Sequence, residues 1–171
     1  MTRTPKSSKA VWPLPVLEPV MAGVDAAAEL LSALHVAAYA PQREAGWDSA
    51  AMTALLASPG MEAHTIILEG KPAGFTMIRR ILDEAEIVTI GVIPALSGQG
   101  IGRRALEMRL KSLAMCGVRT VFLEVRKDNE RAIRLYRGLG FADIGARKDY
   151  YTTLDNHKVD ALCMRRDLVP C

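Results

Sequence analysis

Cysteine is scarce in this chain of 171 residues, where only Cys116, Cys163 and Cys171 occur. Their number is odd and their spacings are wide, which excludes a disulfide framework or a structural zinc centre as the basis of the fold. A reducing compartment, the cytoplasm, is the expected location. No apolar run approaches the ~18 residues of a membrane span, and no apolar signal core precedes Pro13. Charge of one sign is lacking as well: 22 Lys and Arg face 19 Asp and Glu, for a net charge of +3. That balance suits a polyanionic ligand and gives no ground for a nucleic-acid partner. There is no internal repeat, and no low-complexity segment beyond a basic tail over 1–14, which is expected to be loose. With 50% hydrophobic and 24% charged residues, 15–171 has the make-up of a single globular domain.

What is present is a clear succession of elements. A strand is expected near Val16 to Val20, then a helix capped by Asp25 with Leu30, Leu31 and Leu34 on one face. A short helix follows, capped by Asp48 and carrying Met52, Leu55 and Leu56. Ala63 to Leu68, Ala73 to Leu82 and Ala85 to Ile93 are apolar runs separated by Gly70-Lys71-Pro72 and Asp83-Glu84, the signature of an antiparallel meander. A helix over Ile101 to Cys116 buries Leu106, Leu110 and Leu113. The strand Thr120 to Arg126, the helix Asn129 to Leu139 and two final strands, Phe141 to Lys148 and Val159 to Arg166, complete the chain. A strand-helix-strand step requires a parallel crossover, so the sheet is expected to be mixed.

Between the strand ending at Ile93 and the helix beginning at Ile101 the sequence reads Pro94-Ala95-Leu96-Ser97-Gly98-Gln99-Gly100-Ile101-Gly102-Arg103-Arg104. The first amides of a helix lack internal acceptors and the helix dipole is positive there, so glycines that admit a close ligand make an anion site. A pyrophosphate is the natural occupant, with Arg103 and Arg104 adding charge; a plain tight turn is the bland alternative. No Gly-Lys-Ser or Gly-Lys-Thr follows, which excludes a Walker loop. Gly100 to Ala105 formally matches the dinucleotide fingerprint, with Glu124 at the expected separation, but a meander precedes it where that fold places its first strand.

Within Val121-Phe122-Leu123-Glu124-Val125-Arg126 the period of two sets Phe122, Glu124 and Arg126 on one side, so Glu124 interrupts an apolar segment. It suits a base that takes a proton from an ammonium nucleophile, or else an ion pair with Arg126. Tyr136 shares a helix face with Ala132 and Leu139, as a core aromatic does. Asn129 stands where it can cap that helix or reach a ligand. Cys116 reads as a small buried residue.

The order of meander, Pro94 to Arg104 loop, Leu123-Glu124-Val125-Arg126, Asn129, Ala132-Ile133-Arg134-Leu135-Tyr136 and Leu139-Gly140-Phe141 resembles the GCN5-related N-acetyltransferase (GNAT) superfamily. Within it, the bacterial ribosomal-protein-alanine N-acetyltransferases are most similar, over about residues 63 to 166. The resemblance implies a mixed, mostly antiparallel α/β sheet of six to seven strands flanked by helices and splayed at a parallel pair near Ile90 and Glu124. It implies acetyl-CoA as co-substrate without a metal: Ile90, Gly91 and Val92 pair strand-like with the pantetheine arm, and Gly98, Gln99, Gly100, Ile101, Gly102 and Arg103 hold the pyrophosphate. Asn129 contacts the same molecule. Glu124 is the implied proton acceptor, with Glu86 as rival, Tyr136 is the proton donor to the departing thiolate, and the Val92 amide faces the developing oxyanion. Lys148-Asp149-Tyr150-Tyr151 also fits this group, so that Tyr150 and Tyr151 border the acceptor groove. Ser97 departs from the Gln or Arg usual at the loop's start. The implied acceptor is a protein N-terminus, such as that of a ribosomal protein, with no direct nucleic-acid or membrane partner. Lysine side chains, polyamines and aminoglycosides are the competing acceptors, and a non-catalytic acyl-CoA-binding regulator is the competing class.

Overall fold

The computed structural model describes residues 13–21, 25–42 and 46–169. Thus most of the expected basic tail, and the residues just ahead of Asp25, lie outside the described residues. Seven strands, β1 Val16–Val20, β2 Met61–Leu68, β3 Lys71–Ile81, β4 Glu84–Val92, β5 Thr120–Arg126, β6 Ala142–Thr152 and β7 Lys158–Asp167, form one sheet in the order β1-β2-β3-β4-β5-β7-β6. Among the described residues the sheet is accompanied by four α-helices, α1 Asp25–Tyr39, α2 Ser49–Leu56, α3 Ile101–Met115 and α4 Glu130–Gly138. All pairings are antiparallel except β4 with β5. The mixed, seven-stranded α/β sheet is therefore the expected one.

The hairpin turns fall slightly ahead of the expected glycine-proline and acidic pairs. Glu69 and Gly70 take φ of 51° and 75°, and Leu82 takes 56°, the positive values that a tight turn between right-twisted strands demands. Lys71 consequently already pairs with Leu68.

One irregularity shapes everything downstream. Ile78 lies opposite Ile87 but Met77 lies opposite Thr89, so β4 carries Val88 as an extra residue. A bulge bends the strand that bears it and ends regular pairing. Accordingly the parallel ladder runs only from Glu84↔Thr120 to Ile87↔Leu123. Beyond that point β4 stays with β3 as far as Val92, while β5 stays with β7 as far as Arg126. The two strands part, and the sheet opens as a wedge.

Each sheet face is covered by one helix pair. Leu106, Leu110 and Leu113 of α3 pack with Ile87, Val121, Leu123, Ile133, Tyr136 and Met164. Leu31 and Leu34 of α1 and Met52 of α2 pack with Phe75 and Met77. Asp48 caps α2, its carboxylate accepting from the Ala51 amide at 2.8 Å, a contact worth about 1 kcal/mol. Asp25 is itself the first residue of α1. Gly91 is required by packing: a Cβ there would come within 2.7 Å of the Ala38 Cβ and 2.6 Å of the Phe75 ring.

Two expected burials are corrected. The inward stripe of α1 runs Ala28, Leu31, Leu34, His35 and Ala38, which turns Leu30 outward at 38% exposure. Cys116 is exposed, because it caps the C-terminus of α3 just past the last buried turn at Leu113.

His35 is buried between Tyr39 and Trp47, with ring centres 4.4 and 4.5 Å away, and its Nδ1 accepts from the Trp47 amide at 3.3 Å. Burial lowers its pKa from 6.5 to about 4. His64 is lowered to about 4 by burial, with the Arg109 charge adding to the effect. Both are neutral in the fold, and the unfolded chain binds more protons between these values, so their contribution to stability is complete above pH ~6.5 and shrinks as pH falls toward ~4. The melting temperature is expected to decline over that window, and His35→Phe is expected to make the decline shallower. A melting temperature independent of pH between these limits contradicts the assignment.

Candidate active site

The wedge between β4 and β5 opens into a cleft of about 290 Å³ that passes through the plane of the sheet. Ala38 and Tyr39 of α1 wall it on one side, and Ala132, Leu135 and Tyr136 of α4 on the other. Side chains from helices on opposite faces of a sheet can share a cleft only where two strands have separated. Ile90, Gly91, Val92, Gly98, Gly100, Ile101, Gly102, Arg103, Asn129 and Tyr136 all line it, so nearly all of the residues singled out for the cofactor converge here. Gln99 does not: its side chain turns outward, with its amide nitrogen 3.5 Å from the Ala95 carbonyl.

At one end of the cleft lies the N-terminus of α3. Its first intrahelical bond runs from the Arg104 amide to the Gly100 carbonyl at 3.0 Å, so the amides of Ile101, Gly102 and Arg103 have no acceptor within the helix. Gly98 and Gly100 adopt φ of 83° and 77°, and a Cβ at either would meet nothing within 4 Å. These glycines serve backbone conformation, and the space before the amides is open. Arg103 is not a free cation: its guanidinium bonds Glu107 at 2.9 Å and the Gly138 carbonyl at 2.9 Å, tying α3 to the end of α4. Arg131, in the first turn of α4, lines the cleft as well.

The other wall is held by side chains distant in sequence. The Tyr39 hydroxyl is 2.8 Å from Thr89 Oγ1 and 3.3 Å from the Ile90 carbonyl, which fixes β4 where it leaves β5. Asn129 caps α4, its Oδ1 accepting from the Ala132 amide at 3.1 Å. Tyr136 packs edge-on against Phe141, with ring centres 5.8 Å apart. Its hydroxyl has no hydrogen-bond partner among the described residues, and burial pushes its pKa well above the ordinary phenol value. It therefore carries its proton at any physiological pH.

Glu124 is the first residue of β5 past the end of the parallel ladder. It points away from Leu123 and Val125 into a second cavity, of about 450 Å³, which Glu86, Arg79, Arg147 and Cys163 also line. The two candidate bases thus share one cavity, whereas Tyr136 belongs to the cleft. Glu124 is ion-paired with Arg147, Nε to Oε1, at 2.9 Å. Among the described residues the alternative pair of Glu124 with Arg126 is not formed; Arg126 binds both oxygens of Asp128, at 3.0 and 2.7 Å. Glu86 is held by Arg79 at 2.5 Å. Tyr150 and Tyr151 stand edge-to-face, 5.1 Å apart, beside this cavity. The neighbouring Glu124 carboxylate, together with partial burial, raises the pKa of Tyr150. Tyr151 donates to the Glu124 backbone carbonyl at 3.4 Å.

Sequence reasoning missed Tyr39, Arg131, Arg79 and Arg147. Arg131 had a local signal, lying two residues after Asn129 at a helix start. Tyr39 had none, since it reaches Ile90 from 51 residues away.

A mixed sheet split at its one parallel pair, with a glycine-opened helix N-terminus at the mouth of the split, matches the class of acetyltransferases that the sequence motifs resemble. The acetyltransferase (GNAT) family model matches residues 31–141, and the chain belongs to this family. It is 43% identical over 95 residues to the [ribosomal protein bS18]-alanine N-acetyltransferase of Escherichia coli strain K12, an alignment spanning 56% of this chain and 64% of that protein. The chain thus spans just under two thirds of the length of that relative. It is 42% identical over 125 residues to the N-alpha-acetyltransferase RimI of Mycobacterium tuberculosis, spanning 71% of this chain and 75% of that one. The crystal structure of the ribosomal-protein-S18-alanine N-acetyltransferase from Escherichia coli superposes with a TM-score of 0.80 at 28% identity, covering 92% of this chain and 96% of that one.

Proposed function

We propose that this chain transfers an acetyl group from acetyl-CoA to the N-terminal α-amine of a protein, with an alanine-led ribosomal protein as the favoured acceptor. The observation that carries the reading is the cleft through the sheet, with open helix amides at one end and Glu124 at the point where the strands part. The names of the relatives above support the choice of acceptor. The free cysteines, and the fact that no described helix is long and apolar enough to cross a membrane, fit action in the cytoplasm.

The unpaired amides of Ile101, Gly102 and Arg103 fit a pyrophosphate, since neither Gly98 nor Gly100 brings a side chain into the space before them. Past Ile87 the edge of β4 that faces β5 has lost its strand partner, so Val88 to Val92 can pair with the amides of a pantetheine arm as with a neighbouring strand. The Val92 amide then faces the thioester carbonyl. Glu124 takes the proton of the attacking ammonium, directly or through water, and Tyr136 gives its proton to the departing thiolate. The amine attacks in a ternary complex, so proximity and orientation supply much of the acceleration. Tyr150 and Tyr151 flank the approach of the acceptor. We read residues 15–171 as one catalytic domain, with the segment over 1–14 outside it.

Acetyl-CoA is expected to raise the melting temperature of the protein, and Gly100→Glu is expected to abolish that rise. The substitution strains a residue at φ 77° and brings negative charge before the unpaired amides. An undiminished shift contradicts the phosphate assignment. For the reaction itself, intact-mass measurement of an alanine-led peptide incubated with enzyme and acetyl-CoA is expected to show the gain of one acetyl group. A peptide of unchanged mass contradicts the proposal.

A further inference from the structure

We propose that Arg147 is an internal stand-in for the acceptor's cation: its guanidinium occupies the place where the incoming ammonium meets Glu124, and must be displaced before the acceptor binds. This rests on the function proposed above and places a competitor within the same acceptor site.

The cavity beside Glu124 is already built as a cation site. Arg147 Nε lies 2.9 Å from Glu124 Oε1, and its guanidinium carbon lies 5.3 Å from the centre of the Tyr150 ring. A carboxylate on one side and an aromatic face on the other is an arrangement that recognises ammonium and guanidinium groups. The cation it holds comes from the chain itself. Glu86 is likewise taken by Arg79 at 2.5 Å, so neither of these two carboxylates in the cavity presents an uncompensated charge to an arriving amine.

Arg147 is also placed to let go. It lies on β6, an edge strand whose strand neighbour is β7, and the ladder to β7 shifts register between Arg147 and Tyr151. Its side chain is 59% exposed, against 8% for Arg126. A displaced Arg147 moves into water and strands no buried charge, whereas a displaced Arg126 would leave one behind. An exposed ion pair and a surface cation–π contact are each weak. An acceptor that gains the same two contacts, together with those of its following residues, can replace Arg147. While Arg147 stays bound, the apparent affinity for the acceptor is lowered in proportion to the fraction of Glu124 left free.

The test is calorimetry on two peptides of one alanine-led sequence, one with a free N-terminus and one N-acetylated, with CoA in place of acetyl-CoA so that no turnover occurs. Arg147→Met keeps the aliphatic stem and removes the charge. It is expected to bind the free-amine peptide about tenfold more tightly, the scale of the two weak contacts combined, and the acetylated peptide as the wild type does. In turnover, KM for the peptide is expected to fall while KM for acetyl-CoA holds. Arg147→Lys retains a cation and is expected to behave as the wild type. If Arg147→Met fails to fold, Arg147→Gln carries the same comparison. Free-amine binding that is unchanged or weaker overturns the proposal, because Arg147 then supports the acceptor or is inert. Equal tightening for both peptides also overturns it, because that reports opened space and not competition for charge. Failure of the function itself is distinguishable: a wild-type enzyme that leaves the free peptide unacetylated contradicts the reading above, whatever the variants bind.

Discussion

Tyr136→Phe is expected to lower turnover by about 10²-fold or more while leaving the affinity for acetyl-CoA nearly intact, the range found for a positioned acid. Tyr136 is only 7% exposed and packs edge-on against Phe141. Phenylalanine preserves that packing, and the lost hydroxyl leaves no buried partner unsatisfied, so the fold has little reason to respond. A core role predicts neither a rate loss nor a binding loss. Turnover measured beside calorimetry separates the cases: loss of rate alone supports proton donation, loss of both means the hydroxyl holds the ligand, and loss of neither leaves Tyr136 as packing.

Glu124→Gln is expected to reduce kcat/KM by about 10²-fold at neutral pH, and to recover in part at high pH, where an α-amine with a pKa near ~8 sheds its own proton. Glu86→Gln is expected to cost far less. Both residues line one cavity, but they differ in placement. Glu124 lies where β5 leaves β4, with its side chain 19% exposed, whereas Glu86 sits within the paired ladder, 39% exposed and held by Arg79. The pH–rate profiles of the two variants decide the matter, and the reverse ranking would assign the base to Glu86.

Much of the fold was legible from local signals. The Val16 to Val20 and Thr120 to Arg126 strands, the Asp48 cap and the start of α3 at Ile101 all stand where apolar period, cap and glycine placed them. Features that depend on long-range register were not legible. The extra residue at Val88 leaves no mark in an unbroken run of strand formers, yet it ends the parallel ladder at Ile87 and opens the wedge. Arg109 is similar: it sits on the apolar side of α3, only 4% exposed, because Glu62 of β2 receives it at 2.6 Å. Nothing in the α3 sequence announces that partner. At the site, motif residues could be singled out because glycine, carboxylate and cap each have a local chemical reason. The arginines that hold the two carboxylates, Arg79 on the strand beside Glu86 and Arg147 two strands away from Glu124, come from strands whose register had to be seen. The Arg103 guanidinium shows the limit of counting charge, since it lines the cleft while bonded to Glu107 and to the Gly138 carbonyl.

The most direct test of the central claim is to locate the acetyl group on a peptide that offers both amines. An alanine-led peptide with an internal lysine, incubated with the enzyme and acetyl-CoA, is fragmented in the mass spectrometer to assign the modified nitrogen. Acetylation of the alanine α-amine, with the lysine left free, is the result this account predicts. Acetylation confined to the lysine, or absent from both amines, would contradict it.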